Sequence, residues 1–228
     1  MNNILAVFAK QIKDTFRNKT ILIQFLMFPV ITLVMENAVR IDGMPEHFFA
    51  NLFSVMFITM APLTCVSAII SEENEKGTLR VLLMSDVSAL QYLAGVGSYV
   101  FILCMAGSAV IGLAGGYSGG KFVRFMLLMA AGTVISLLIG AAVGTLSRSQ
   151  MTATGVVVPL MCVLSFLPML AMFNETIAKI SGYVYSGGIS ELISSGEPAG
   201  AKGMTVLCVN AALALAAFIT AYRKSARA

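Results

Sequence analysis

The chain has 228 residues, 58% of them hydrophobic and 11% charged, with a mean hydropathy of +0.88, no tryptophan and a net charge of +4. Soluble domains carry roughly 25% charged residues, so this apolar surplus is too large for a globular core and excludes a soluble enzyme. The positive charge is spread over short connecting segments, which excludes a nucleic-acid patch; one histidine, His47, and four isolated cysteines leave neither a metal centre nor a Ser-His-Asp set to build.

The expected fold is all-α: a single polytopic membrane domain with six transmembrane helices. Residues 1–19 put Ile4, Leu5, Phe8, Ile12 and Phe16 on one helical arc and Lys10, Lys13 and Arg17 opposite, the pattern of an amphipathic helix lying on an anionic leaflet. Charges interrupt any signal-peptide core here, so the segment is expected to be retained. The first span is expected over 20–39, with Pro29 kinking it and Glu36 four residues before Arg40, either paired with it or snorkelling alone. A turn at Asp42-Gly43 and Pro45 at a helix start lead into a second span over 48–70.

Residues 71–87 then form a charged island. Glu72, Glu73, Glu75, Lys76 and Arg80 fall within nine residues, and each would cost about 3 kcal/mol at the centre of a bilayer, so the stretch is expected in water. Glu72 and Lys76 have the favourable acid-first spacing of four for a helical turn. Gly77 can bend the chain, and Thr78 can cap a short helix on which Leu79, Leu82 and Leu83 share a face. That face needs a partner, either the membrane surface or another protein.

A capping box, Ser88 with Gln91, opens the third span over 90–117, and the fourth is expected over 122–146. Ser108, Gly112 and Gly116 on the former, and Gly132, Ser136, Gly140 and Gly144 on the latter, make small-residue stripes that read as helix-packing surfaces. Gly115–Phe122, GGYSGGKF, nearly fits a phosphate loop but has Phe122 in place of the hydroxyl residue and follows an apolar helix, so it is rejected as one. The fifth span, over 151–173, contains Pro159 and Pro168, two expected breaks that suit either a path lining or ordinary kinks. Residues 174–203 hold two pieces too short to span: a helix capped by Asn174, a break at Gly187-Gly188 and a second piece, at the membrane surface or dipping into it. The sixth span is expected over 204–222.

Six spans put both termini on one side, together with Lys10, Lys13, Arg17, Lys19, Lys76, Arg80, Arg148, Arg223, Lys224 and Arg227; only Arg40, Lys121, Arg124, Lys179 and Lys202 fall opposite. The positive-inside rule makes the first side, and the island with it, cytoplasmic.

The second span ending in an acid-rich turn, then Glu75-Lys76-Gly77-Thr78-Leu79, then Leu82 and Leu83 and a serine-containing turn, resembles the permease subunits of type-2 ABC transporters. The resemblance covers nearly the whole chain, from an N-terminal elbow helix through six spans with short outer helices before the sixth. It departs at Ser85-Asp86-Val87, where the family's turn usually contains proline. It implies that Thr78–Met84 is a coupling helix seated on a separate cytoplasmic ABC ATPase, with Glu72, Glu73 and Glu75 touching that subunit or the elbow helix. It also implies two permease chains, identical or closely related, with ATP and Mg on the ATPase and no catalytic residue, metal or cofactor in this chain. The first, second and fifth spans would face the path, lined by Gln24, Asn51, Ser165 and Phe166. Outer loops too short for a receptor domain fit export of a hydrophobic or amphipathic compound, such as an antibiotic, peptide or lipid-like molecule, across a bacterial cytoplasmic membrane. Two other readings stay open: a gradient-driven secondary transporter, which would want mid-membrane ionisable residues beyond Glu36, and a membrane scaffold docking a cytoplasmic partner.

Overall fold

A computed structural model of the chain describes residues 7–12, 19–39, 43, 45–77, 89–195 and 201–225, with side chains except at 19–21, 89, 90 and 201. Residues 7–12 are helical, and eight further helices follow: α1 (Lys19–Ala38), α2 (Phe48–Glu75), α3 (Ala89–Ala114), α4 (Gly119–Leu146), α5 (Gln150–Ala171), α6 (Glu175–Ser181), α7 (Tyr185–Ser194) and α8 (Ala201–Ser225). No strand occurs among the described residues. Among the described residues, five stretches are long and apolar enough to cross a membrane: Phe48–Glu75, Gln91–Ala114, Gly119–Leu146, Gln150–Ala171 and Lys202–Ser225; Leu22–Ala38 is a shorter apolar helix.

The bundle is organised around α2, which is more buried than any other of these five. α4 lies along it with almost no side chain between the two backbones. A Cβ on Gly140 would sit 2.6 Å from the Leu63 carbonyl oxygen, and one on Gly144 would sit 3.0 Å from the Ser67 oxygen. α3 presses on α2 from another side, where Gly107 leaves room for the Phe57 ring. Its buried residues Tyr92, Val96, Tyr99, Cys104, Ser108 and Ile111 recur at helical spacing and form the inward stripe.

Helix ends follow local chemistry. α3 stops at Ala114, three residues before the expected Tyr117, because Gly116 adopts φ +76 and the Tyr117 and Gly116 amides close back on Gly112 and Leu113 in a Schellman motif. α2 runs to Glu75, five residues beyond the expected end at Ile70, since nothing breaks it before Gly77 at φ +66. Its amino end is capped from outside: His47 has φ 61 and makes no side-chain cap, while Glu36 of α1 accepts the Ala50 amide at 2.7 Å. Glu36 therefore has a role in the fold that spacing alone did not show; its expected partner Arg40 lies outside the described residues.

Two expectations about breaks are corrected. α5 is one continuous helix through Pro159 and Pro168, and α1 and α2 likewise continue through Pro29 and Pro62. A proline removes one amide donor, and the turns on either side hold the helix together in a packed bundle. Between the fifth and last long helices the break is not at Gly187-Gly188 but at Gly182–Val184, with both glycines inside α7. Asn174 caps α6 as its type suggests, its Oδ1 accepting from the Thr176 and Ile177 amides at 2.9 and 3.2 Å. The glycines are needed for proximity: a Cβ on Gly187 would lie 2.1 Å from the Ser181 carbonyl oxygen, whereas one on Gly188 would meet Val206 at an ordinary 3.4 Å. Gly187→Ala is therefore expected to lower thermal stability by about 2–3 kcal/mol as α7 is pushed off α6. Gly188→Ala should stay within about 1 kcal/mol of the native chain. Thermal unfolding in detergent compares them directly.

The α6–α7 hairpin folds back along α4. Tyr185 reaches Ser136, 17 residues into α4, with the two hydroxyls 2.7 Å apart, while Arg124, near the start of α4, donates to the Leu192 carbonyl at 2.8 Å. α7 thus climbs beside α4 from a depth of about 25 Å back toward its amino end, at 1.5 Å per residue.

Candidate functional site

Two regions of the bundle gather the polar groups: the acidic end of α2, and the face that α2 shares with α5.

At the acidic end, helical periodicity carries the buried stripe of α2 into the charged turn, so Ser71 and Glu73 point inward below Ile69 and Ile70. Glu73 is 6% exposed, a correction to the expectation that the whole island lies in water. Its Oε1 receives Lys10 Nζ at 2.5 Å and Gln11 Nε2 at 3.5 Å, and Tyr92 of α3 presents its phenol to the same carboxylate. Protein donors replace the water that the charge count demanded. The inward side of residues 7–12 is accordingly Val7 and Gln11, with Phe8 edge-on to Tyr99 at 5.8 Å, while Ile12 of the expected apolar arc is exposed. The other members of that arc, Ile4, Leu5 and Phe16, lie outside the described residues, as do Lys13 and Arg17.

The neighbouring acids have separate tasks. Glu72 pairs with Lys76 along the helix, and Glu75 Oε2 accepts the Gln150 amide at 2.8 Å, placing negative charge at the amino end of α5. Asn74, which nothing in the sequence singled out, donates to the Gly144 and Ser147 carbonyls at 3.1 and 3.3 Å and closes the carboxyl end of α4. One helical turn of α2 therefore ties the N-terminal segment, α3, the α4–α5 turn and α5 together, immediately before Gly77. Thr78, Leu79, Leu82 and Leu83, and the Ser88 capping box, lie outside the described residues.

Along the α2–α5 face two cavities open at different depths. Near the acidic end, a space of about 360 Å³ lies between α1, α2 and α5, lined by Gln24, Thr64, Ser67, Glu72, Gln150 and Thr154 among smaller apolar residues. Gln24 reaches across from α1 to Thr64 Oγ1 and to the Met60 carbonyl at 3.4 Å. At the far end, about 240 Å³ opens between the start of α2, the end of α5 and α7, lined by Asn51, Leu52, Val55, Ser165, Pro168 and Ser190. Between the two, Thr59 and Ser165 close the gap with hydroxyl oxygens 2.6 Å apart.

Three of the four residues assigned to a path thus meet a cavity on this face. The fourth, Phe166, is one residue round the helix from buried Ser165, is 38% exposed and lines neither cavity. Asn51 Oδ1 accepts the Tyr117 phenol at 2.5 Å; burial, opposed by that bond, pushes the phenol up to about 12. The stripe on α4 meets α2 at Gly140 and Gly144, while Gly132 faces Ile58 and Ile189, Ser136 meets α7, and Gly112 of α3 receives Phe122 and Phe125. Gly116 makes a turn and Ser108 is fully buried.

The hydroxyl pair is asymmetric. Thr59 also donates to its own helix carbonyls, at Val55 and Met56, so Ser165→Ala is expected to cost less than about 1 kcal/mol. Thr59→Val removes the one hydrogen-bond partner that the described residues give the Ser165 hydroxyl, which is 1% exposed, and about 1–2 kcal/mol is expected from thermal unfolding.

A bundle of long apolar helices with buried polar seams and a charged, cross-tied end defines a multi-pass membrane protein. Residues 1–219 match the sequence model of the family described as ABC-2 family transporter protein, and the chain belongs to that family. Comparison with curated proteins finds no match. Membership makes the chain an ABC transporter permease, a membrane subunit of the kind that works with an ABC ATPase.

Proposed function

We propose that the chain is the permease subunit of an ATP-driven exporter that moves a hydrophobic or amphipathic compound across a bacterial cytoplasmic membrane. In this reading α1 to α5 and α8 supply six spans, both termini are cytoplasmic, and residues 1–19 form the elbow. Residues 78–84 form the coupling helix. ATP and Mg belong to a separate ATPase, and two permease chains, identical or closely related, complete the transporter.

The observation that carries this reading is the cross-tie at the end of α2. A push on the segment after Gly77 reaches residues 7–12 through Glu73 and Lys10, and α5 through Glu75 and the Gln150 amide, without passing through a flexible linker. α2 and α5 are also the helices that hold the two cavities apart at Thr59 and Ser165. Relative movement of these helices would open one cavity as the other closes, the requirement for alternating access. Gln24 would meet substrate on the cytoplasmic side, and Asn51 and Ser165 on the outer side.

Leu79→Asp with Leu82→Asp tests the coupling. Loss of ATPase co-purification from the native membrane and of substrate-stimulated ATP turnover is expected. Undiminished co-purification and turnover would overturn the assignment, as would transport in vesicles without nucleotide.

A further inference from the structure

A third cavity, of about 290 Å³, lies at the end of the bundle remote from the acidic turn, where the 45–47 segment, the start of α4 and the end of α7 meet. Its walls combine two cations with an apolar floor. Lys121 and Arg124 are three apart on the first turns of α4 and so share a face, and Phe125, Leu128 and Leu192 continue the wall inward. Arg124 is fixed by one bond to the Leu192 carbonyl at 2.8 Å, and a guanidinium has five N–H donors, so its remaining fork can serve an anion. Ser118 makes no side-chain cap, which leaves the positive end of the α4 dipole beside the same cations. Among the described residues the one carboxylate on the wall, Glu46, also lines the neighbouring cavity and stands on the partition between them. Val123 and Leu127, on the other side of α4 from the cavity, are apolar and exposed, so the helix that carries the two cations also presents a surface suited to acyl chains.

We propose that this cavity holds an anionic phospholipid, its phosphate between Lys121 and Arg124 and the first carbons of its chains against Phe125, Leu128 and Leu192. Cations alone would suit any soluble phosphate; the apolar half of the wall selects an amphiphile. A lipid here bridges α4 and α7, and so braces the hairpin that borders the far-end cavity. The assignment does not depend on the direction of transport.

The test is native mass spectrometry of the purified chain in mixed micelles holding equal amounts of phosphatidylglycerol and phosphatidylcholine. The wild-type chain is expected to retain phosphatidylglycerol in preference, and Lys121→Ala to lower that retention about fivefold, the worth of one basic residue beside a lipid surface. Lys121 is exposed, so this change should leave the fold intact, and thermal unfolding without lipid verifies it. Lys179→Ala, an exposed cation on α6 outside the cavity, should retain lipid as the wild type does. Equal retention of the two lipids, or an equal loss with Lys179→Ala, would overturn the proposal. So would inorganic phosphate alone raising the unfolding temperature as much as phosphatidylglycerol does, because the site would then hold a soluble anion.

Discussion

Gly140→Ala is expected to destabilise the protein by about 3 kcal/mol, and Gly140→Leu to abolish recovery of folded chain from detergent. The reason is the identity of the obstructing atoms. An added Cβ would lie 2.6 Å from the Leu63 carbonyl oxygen and 3.1 Å from the Leu63 Cα, both in the backbone of the central helix. A crowded side chain can change rotamer, but a helix backbone can only be moved as a whole. The shift would spread along the seam between α2 and α4, because Gly144 makes a similar though looser contact with Ser67 and Ile70 one turn further on. Gly144→Ala should cost less, since its tightest contacts are at 3.0 Å, and Gly97→Ala, which meets nothing within 4 Å, should stay within about 1 kcal/mol. Fluorescence-detected size exclusion after a heating series ranks the variants. An order other than Gly140, Gly144, Gly97 would contradict the close backbone approach.

The same glycines mark the limit of what a sequence tells. Their four-residue spacing identified a packing stripe but not its partner. Gly140 and Gly144 face α2, Ser136 meets α7, and Gly112 receives rings from α4, because a stripe specifies closeness and the assembled bundle decides to what. Hydrophobic run length located the long helices well, since it reflects the medium around them. It misjudged ends where a local motif governs, as at Gly116, and at Glu75, where no breaker intervenes. The prolines were over-read as breaks: a missing donor is a local defect, and α5 runs through two of them as one helix. Gly187 was over-read in the same sense, as a breaker when it is a point of contact. Of the candidate site, the acidic turn could be read from its charges, but the distinct tasks of Glu72, Glu73 and Glu75 could not. Which acid turns inward depends on the burial phase of α2, and the donor that meets it comes from 63 residues away. Asn74 carried no signal because a side-chain amide capping another helix has no sequence spacing to betray it.

Lys10→Met is expected to lower stability by about 2–3 kcal/mol, more than the complementary change Glu73→Gln, although both break the same ion pair. The two side chains differ in what each would do alone. Lys10 is 41% exposed, so without its partner the ammonium regains water at little cost. Glu73 is 8% exposed at the side chain, so without the lysine a carboxylate stays in a protein cavity with only weaker neutral donors such as Gln11. Glu73→Gln replaces the charge with an amide that can still accept from Gln11, and about 1 kcal/mol is expected. The double variant, Lys10→Met with Glu73→Gln, should recover to within about 1 kcal/mol of the Glu73→Gln chain, because the cost of Lys10→Met arises from the stranded charge and disappears with it. Thermal unfolding of the four proteins in detergent completes the cycle, and simple additivity of the two changes would show that the pair is not coupled. The double variant also separates fold from force. With stability restored and the ionic tie gone, residues 7–12 keep Val7, the Phe8–Tyr99 contact and a neutral Gln11 bond, so any loss of substrate-stimulated ATP turnover in the assembled transporter would be a loss of transmission through the ion pair and not of structure.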